Sequence, residues 1–348
     1  MDGVEAGRHS KPADIVAVAH GADGLVASAE LALRFTLAVR QLTPTGQALR
    51  YRVALGPPDY DVTAIALHRQ RGELWVASRD GTVRGFASAD GRPLATWHLG
   101  SGVTALAITP SGAWLLTGTD DGVLCLRRSR DGALLQCVVA HQGPLVGLDV
   151  SDERAVSGSW DGSVTVWSLP ALEVVAERRF PGSVNDVALA DAGAPAVAIA
   201  RSARPPHPAH LAGDEQPQPT PSDDLITLWW PAQPGRAELA LVGHRAPVTS
   251  VAWADAGARL VSGSWDGAVY LWGVDAGGAG AAGGGGAASA RLLSQSARFA
   301  GPVRDLAIAP DRARVVVGAW SDPRSLTGAA TAAVPLVYPV SREPAHSD

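Results

Sequence analysis

The apolar positions of this chain fall in short strands. Runs rich in Val, Leu and Ala are broken by Gly, Asp and Pro, and inside the runs apolar and small polar residues alternate with period two, the pattern of a strand with one buried face. Two stretches show the unit most clearly. Residues 156–167 read Val-Ser-Gly-Ser-Trp-Asp-Gly-Ser-Val-Thr-Val-Trp, and residues 261–272 read Val-Ser-Gly-Ser-Trp-Asp-Gly-Ala-Val-Tyr-Leu-Trp. Each predicts a small apolar strand, an Asp-Gly turn and an alternating strand that ends on Trp. Asp-Gly between alternating strands is a strong hairpin signal, because Gly tolerates the positive φ such turns need. Two such similar stretches in one chain mark an internal repeat.

Seven segments share this plan, each opening with an apolar anchor: Ile15, Val62, Val103, Leu145, Val184, Val248 and Val303. The spacings are 47, 41, 42, 39, 64 and 55 residues. The two long ones contain low-complexity inserts, a Pro-rich one at 202–222 and an Ala/Gly-rich one at 276–290; without them the spacings become 43 and 40. A period of roughly 40–45 residues made of four short strands is that of a propeller blade. The expected fold is an all-β, seven-bladed β-propeller of four-stranded antiparallel blades, one domain over residues 13–340. Residues 1–12 form an N-terminal segment and a candidate closing strand, and 341–348 form a tail.

Gly243-His244, the two Ser-Gly-Ser-Trp-Asp-Gly turns and the Trp ending each hairpin resemble WD40 repeats, and the resemblance covers almost the whole chain. It is strongest around Asp161 and Asp266, moderate around Asp80 and Asp121, and weak in the other three segments. Residues two and four before the turn Asp face the same way, so Ser262 or Ser264 should stand near Asp266. The resemblance implies a hydrogen-bonded set of turn Asp, Gly-His histidine, strand Ser and Trp. In the sixth blade that set is His244, Ser262, Asp266 and Trp272; in the fourth it is His141, Ser157, Asp161 and Trp167. A buried polar group left without a partner costs about 1–3 kcal/mol, so these residues are expected to be structural rather than catalytic. Other blades depart from the pattern: Phe86 and Arg127 stand at Trp positions, and Ser321 replaces the turn Asp after Trp320. Closure is the weak point. In WD40 proteins the N-terminal segment completes the last blade, and here that donor would have to lie within Met1–Gly7, which is short, unless the chain's true start lies upstream.

Charge and cysteine content narrow the function. The net charge is −5, Lys11 is the only lysine, and the arginines are scattered, which argues against a nucleic-acid or anionic-membrane partner. The N-terminus lacks the apolar core of a signal peptide, and no apolar run approaches the ~18–20 residues of a membrane span. A cytoplasmic protein is expected, or a nuclear one if the source is eukaryotic. Cys125 and Cys137 flank the Asp131-Gly132 turn and could face each other across a hairpin; they are expected to be small buried apolar groups rather than a redox pair.

The chain has no phosphate-binding Gly-Lys-Ser/Thr loop, Gly-x-Ser-x-Gly elbow or His-Glu-x-x-His motif. His207 and His210, near Asp214 and Glu215, fall in the Pro-rich insert and read as a solvated loop rather than a metal site. No cofactor, no metal and no catalysis are expected. What remains is surface. The residue before the turn Asp should point outward, which selects Ala29 or Glu30, Arg79, Asp120, Trp160, Arg201, Trp265 and Trp320. Trp and Arg dominate interface hot spots. The expected function is a non-catalytic scaffold that binds another protein or peptide over Trp160, Trp265 and Trp320. An Arg- or Lys-bearing segment would suit these rings, with Asp120 and Glu30 adding attraction. The Pro-rich insert is expected to overhang the Trp cluster, and the Ala/Gly-rich insert to leave from the opposite face. The alternative is a propeller enzyme, or a small-ligand or metal-binding protein, that uses the central channel.

Overall fold

The structure is a computed structural model that describes residues 14–21, 24–31, 35–43, 46–56, 61–190, 196–202, 225–255, 257–277, 288–296, 299, 301–309, 314–319 and 336–339. Six four-stranded antiparallel sheets follow one another along the chain. The first holds β1 (Asp14–His20), β2 (Leu25–Leu31), β3 (Phe35–Thr43) and β4 (Gly46–Ala54). The second holds β5 (Val62–His68), β6 (Glu73–Ser78), β7 (Thr82–Ala87) and β8 (Pro93–His98). The third holds β9 (Val103–Ile108), β10 (Trp114–Thr119), β11 (Val123–Arg128) and β12 (Leu134–Val139). The fourth holds β13 (Leu145–Val150), β14 (Arg154–Ser159), β15 (Ser163–Ser168) and β16 (Glu173–Arg179). The fifth holds β17 (Ser183–Leu189), β18 (Val197–Ser202), β19 (Ile226–Trp229) and β20 (Leu239–Leu241), and the sixth holds β21 (Val248–Trp253), β22 (Arg259–Ser264), β23 (Val269–Asp275) and β24 (Ser289–Gln295). A seventh sheet has three strands among the described residues: β25 (Val303–Ile308), β26 (Arg314–Ala319) and β27 (Leu336–Pro339).

The first strand of each sheet is innermost. β1, β5, β9, β13, β17, β21 and β25 pack side by side in a ring, with β25 against β1. All seven predicted anchors lie in these strands and are buried. Burial peaks in the second strands, as in β6, which is buried along its whole length; the innermost strands are partly open to the axis, as in β13, and the outermost β12 and β16 are largely exposed. This is an all-β propeller of four-stranded antiparallel blades.

The blades are joined at a repeated irregularity. In every sheet the innermost strand bulges by one residue against the second strand. The extra residues are Val16, Thr63, Thr104, Val146, Asn185, Thr249 and Arg304. A bulge re-aims the extra side chain out of the ladder. Here it reaches the next blade. Thr63 Oγ1 donates to the Val103 carbonyl at 2.7 Å, Asn185 Nδ2 to Val248 at 2.8 Å, Thr249 Oγ1 to Val303 at 2.7 Å, and Thr104 Oγ1 to Leu145. Each acceptor is the anchor of the following blade.

Three carboxylates add a second set of ties. Asp149 Oδ2 accepts from Leu189 N at 2.8 Å, and Asp186 Oδ2 from Val251 N at 2.9 Å and Ser250 Oγ at 3.0 Å. Asp305 Oδ2 accepts from Val18 N at 2.8 Å, which joins the seventh sheet to the first. The ring therefore closes through its innermost strands. The closing strand expected within residues 1–12 lies outside the described residues.

Two expectations need correction. Cys125 and Cys137 are not separate apolar groups: they stand directly opposite in β11 and β12 and form a disulfide. Directly opposed residues on neighbouring antiparallel strands bring their Cβ atoms within bridging range. Ser289 and Ala290, counted in the Ala/Gly-rich insert, belong to β24. The Pro-rich insert follows β18, but residues 203–224 lie outside the described residues, and so does its expected position over the tryptophans. No helix among the described residues is long and apolar enough to cross a membrane.

Thr249→Val keeps the shape of the side chain and removes its donor. It should lower unfolding free energy by about 1–3 kcal/mol, because the Val303 carbonyl is left buried without its partner. Urea denaturation measures this, and an unchanged midpoint would show that the stitch contributes nothing.

Candidate functional site

The turns between second and third strands form one face of the propeller. In the fourth sheet the turn is Trp160-Asp161-Gly162, closed by Gly162 N donating to Ser159 O at 3.0 Å. Gly162 has φ 88°, and a Cβ there would lie 2.5 Å from the Phe180 carbonyl, so position and conformation both demand glycine. The sixth sheet repeats the turn with Trp265-Asp266-Gly267. Ser159 Oγ and Ser264 Oγ accept the amides of Asp161 and Asp266, each at 3.1 Å, and so cap the turns. The serines two positions earlier do something else.

Ser157 Oγ lies 2.8 Å from both Trp167 Nε1 and His141 Nε2, and His141 Nδ1 lies 2.6 Å from Ser163 Oγ. Ser163 Oγ and its amide both donate to Asp161 Oδ1, and Gln142 N donates to Oδ2 at 2.7 Å. Burial pushes the His141 pKa down to about 4, outweighing the pull of Asp161, so the ring is neutral at pH 7. Burial works to raise Asp161, yet the donors from Ser163 and Gln142 hold it below the usual carboxylate value. An ionised Asp161 can only accept, so Ser163 accepts from His141 Nδ1–H and Ser157 donates to Nε2. Proton donation then runs one way, from Trp167 through Ser157, His141 and Ser163 to Asp161.

The sixth sheet has the shorter version. Ser262 Oγ lies 2.8 Å from both Trp272 Nε1 and His244 Nε2. Ala268 stands where Ser163 does, so His244 Nδ1 faces Asp266 Oδ1 directly, at 3.5 Å. Burial opposes it, but His244 and the amides of Arg245 and Ala268 hold Asp266 down to about 2. Tyr270 stacks on His244 at 4.1 Å.

The second and third sheets lack these relays. Val76 and Phe86 replace the Ser and Trp in the second, so that site is apolar. In the third, Arg127 donates to the Gly132 carbonyl at 3.2 Å, and Thr117 Oγ1 is buried without a hydrogen-bond partner among the described residues.

The residues expected to point outward divide. Arg79 and Asp120 are exposed, and Arg79 Nε pairs with Asp61 at 3.0 Å. Trp160 and Trp265 are half-buried. Their amides are held by the Pro144 and Pro247 carbonyls at 3.2 and 3.0 Å. The Trp265 Nε1 is buried without a hydrogen-bond partner among the described residues. Arg201 is occupied inside the fifth sheet: it donates to the Pro181 carbonyl at 2.6 Å and to Thr227 Oγ1 at 3.1 Å. Glu30 does not face a partner at all. It is buried at 4% exposure, paired with Arg40 and with Arg52 at 3.3 Å, because β2 extends to Leu31 and makes Glu30 a strand residue rather than a turn residue. Trp320 lies outside the described residues.

A central channel of about 650 Å³ opens on the same face. Arg79, Trp160, Asp61 and Arg304 line it near the turns, and Asp149, Asp186 and Asp305 line it elsewhere. Burial pushes Asp186 up to about 7, with Asp305 adding to the rise, and pushes Asp305 up to about 6. The reading of the sequence missed Asp186 and Asp305. Their signal was a carboxylate two residues after a buried anchor, in Val184-Asn185-Asp186 and Val303-Arg304-Asp305. Among the described residues no three His, Cys, Asp or Glu side chains are grouped to hold a metal ion.

The sequence profile of the family "WD domain, G-beta repeat" matches residues 91–127, 132–168 and 236–273. Each match begins near the outermost strand of one sheet and ends in the third strand of the next. The WD40 repeat protein poxJ of Penicillium oxalicum is 30% identical over 122 residues, which are 32% of this chain and 35% of that protein. The WD repeat-containing protein 81 of Homo sapiens is 33% identical over 132 residues, 35% of this chain and 7% of that protein. The chain thus spans about a third or less of the curated relatives it matches. Among solved structures, that of U3-55K aligns with a TM-score of 0.69 at 15% identity, covering 92% of this chain and 91% of the other. The crystal structure of RRP9 WD40 repeats aligns at 0.68 and 15%, covering 92% and 90%. At that identity the likeness is one of fold.

The His141 relay has a pH signature. Its folded pKa lies below the free value of 6.5, so the unfolded chain takes up the proton first as pH falls. The stability it contributes is full above about pH 6.5 and is lost toward pH 4. Asp186 and Asp305 act oppositely: their contribution is present below pH 3.8 and is lost as pH rises through their raised values. Comparing the chain with His141→Asn cancels the aspartates. The unfolding free-energy difference should shrink by roughly 1 kcal/mol per pH unit below 6.5. A difference that stays flat from pH 7 to 4.5 would contradict a neutral buried His141.

Proposed function

We propose that this chain, which carries WD40 repeats, is a non-catalytic, seven-bladed propeller that docks another protein or peptide on its turn-bearing face. The three-stranded seventh sheet counts as the last blade in this reading. One observation carries it: Trp160 and Trp265 occupy the same place in two turns whose other residues are fixed. The Asp beside each Trp is bound by loop amides, those of Gln142 and Ser163 at Asp161 and of Arg245 and Ala268 at Asp266. Each Trp amide is bound as well. A large aromatic ring on an already ordered loop loses little freedom when a partner arrives, which is what a hot spot requires. Trp320 completes the set by its position in the repeat. Because one scaffold hosts many unrelated tasks, the reading rests on these turns rather than on the fold.

The test is affinity capture from an extract of the source organism, with Trp160→Ala, Trp265→Ala and the double variant beside the unaltered chain. Circular dichroism and melting check the fold. Truncating a hot-spot residue costs about 2 kcal/mol or more, roughly a 30-fold loss of affinity. The double variant should therefore lose its partners while remaining folded. A folded double variant that retains every partner would overturn the assignment.

A further inference from the structure

We infer that β12, the outermost strand of the third blade, is an edge at which two copies of this chain pair antiparallel, about a two-fold axis through Val138. The surface is the rim of the propeller rather than its turn-bearing face, so the inference stands independently of the docking reading.

An outermost strand ends its sheet in a row of unpaired backbone groups, which folded proteins blunt with charge, proline or shortness. Five of the six described outermost strands are blunted in this way. β4 carries Arg50 and Arg52, β8 opens on Pro93, β16 ends on Arg178 and Arg179, β20 has three residues, and β24 carries Arg291. β12 reads Leu-Leu-Gln-Cys-Val-Val and has none of these devices. It is also exposed where it is apolar: Leu134 at 53%, Leu135 at 43% and Val139 at 80%. On the outermost strand of the next blade, Val174 and Val175 are exposed as well.

The ladder sets the register. Cys137 stands opposite Cys125 with Cα atoms 4.1 Å apart, the close spacing of a non-hydrogen-bonded pair, whose residues turn their own N–H and C=O away from each other's strand. Val139 stands opposite Val123 in the same phase. Val138 pairs with Leu124 in the opposite phase, and so does the next even position, where the Ala140 amide donates to the Gly122 carbonyl at 3.0 Å. The N–H and C=O of Cys137 and Val139 therefore face the open side of the sheet. The irregularity at Leu135 comes before them and leaves residues 136–139 in regular pairing. These outward groups are symmetric about Val138. A second β12 laid antiparallel sets Cys137 of each copy against Val139 of the other, and the two pairs exchange four backbone hydrogen bonds.

Charge selects a second copy as the occupant. In a two-fold pairing each side chain near the axis meets one from the same short stretch, so Arg50 and Arg52 would set β4 against itself. No charged residue lies between Leu134 and Ala140, and the exposed leucines and valine of each copy cover those of the other. One six-residue edge buries less than the ~800 Å² per partner of a standard interface, so the pair belongs to the weak, concentration-dependent class.

Sedimentation velocity of the full chain from about 5 µM to about 1 mM should show a reversible monomer–dimer equilibrium with a dissociation constant of about 0.1 mM. Val139→Pro removes an outward N–H that the ladder does not use, and Val139→Lys places like charges beside the axis; each should weaken the dimer roughly tenfold or more. Val242→Lys, at a residue 66% exposed beside β20, should dimerise like the unaltered chain. Circular dichroism and melting check each fold, and if Val139→Pro is unfolded, Val139→Lys decides. A chain that stays monomeric at the highest concentration would overturn the inference, and so would a dimer that both Val139 variants leave intact. Titration with the capped peptide acetyl-Leu-Gln-Ser-Val-Val-Ala-amide separates the occupants. A monomeric chain that binds it would give the edge to an extended segment of another protein and reject the second copy.

Discussion

Each innermost strand carries one residue more than its neighbour can pair, and in four of the seven sheets that residue donates to the anchor carbonyl of the following blade. A blade cannot bury both of its faces alone, so its stability depends on how it meets the next one. Apolar contact between blades is abundant but slides easily, because Val, Leu and Ala faces have no fixed register. A hydrogen bond to one named carbonyl fixes the register. Where the bulged residue is Val146, that stitch is missing, and the carboxylate of Asp149 two strand positions beyond Gly147 ties the fourth blade to the fifth instead. Where it is Arg304, Asp305 ties the three-stranded seventh sheet to the first. One tie or the other is present at six of the seven junctions; Val16, at the junction of the first and second blades, has no polar atom to offer.

The relays inside the fourth and sixth blades answer a different need. A Trp at the end of a third strand fills the space between blades but carries an N–H into it. Ser157 and Ser262 accept that N–H and each meets a His, which stands between the Ser and an ionised turn Asp whose charge loop amides neutralise. A half-built relay would be worse than none. The second blade avoids the problem with Val76 and Phe86, while the third keeps Thr117 and bears a buried hydroxyl without a partner among the described residues.

Much of this was readable from residues alone, and the exceptions have physical causes. The seven anchors were legible because period and burial coincide: an inner strand must be apolar at the position facing its neighbour. The relay residues were legible through the resemblance to WD40 repeats, since spacing alone left Ser262 and Ser264 both as candidates near Asp266. The bulges were not, since a single inserted residue leaves the alternation intact on either side and looks like ordinary strand. Glu30 was misplaced for a related reason. Counting to a turn assumes a strand length, and β2 runs farther than the other second strands before it turns. Cys125 and Cys137 were seen to face each other, but the choice between two thiols and a bridge depends on strand register, which composition does not fix.

The same geometry separates what holds the blades from what faces a partner. Asp161 and Asp266 look like the reactive groups of the turns, yet every strong donor near them is a loop amide or a member of the relay, so their charge is spent inside the protein. What they contribute outward is direction, because a turn locked at its Asp fixes the residue before it.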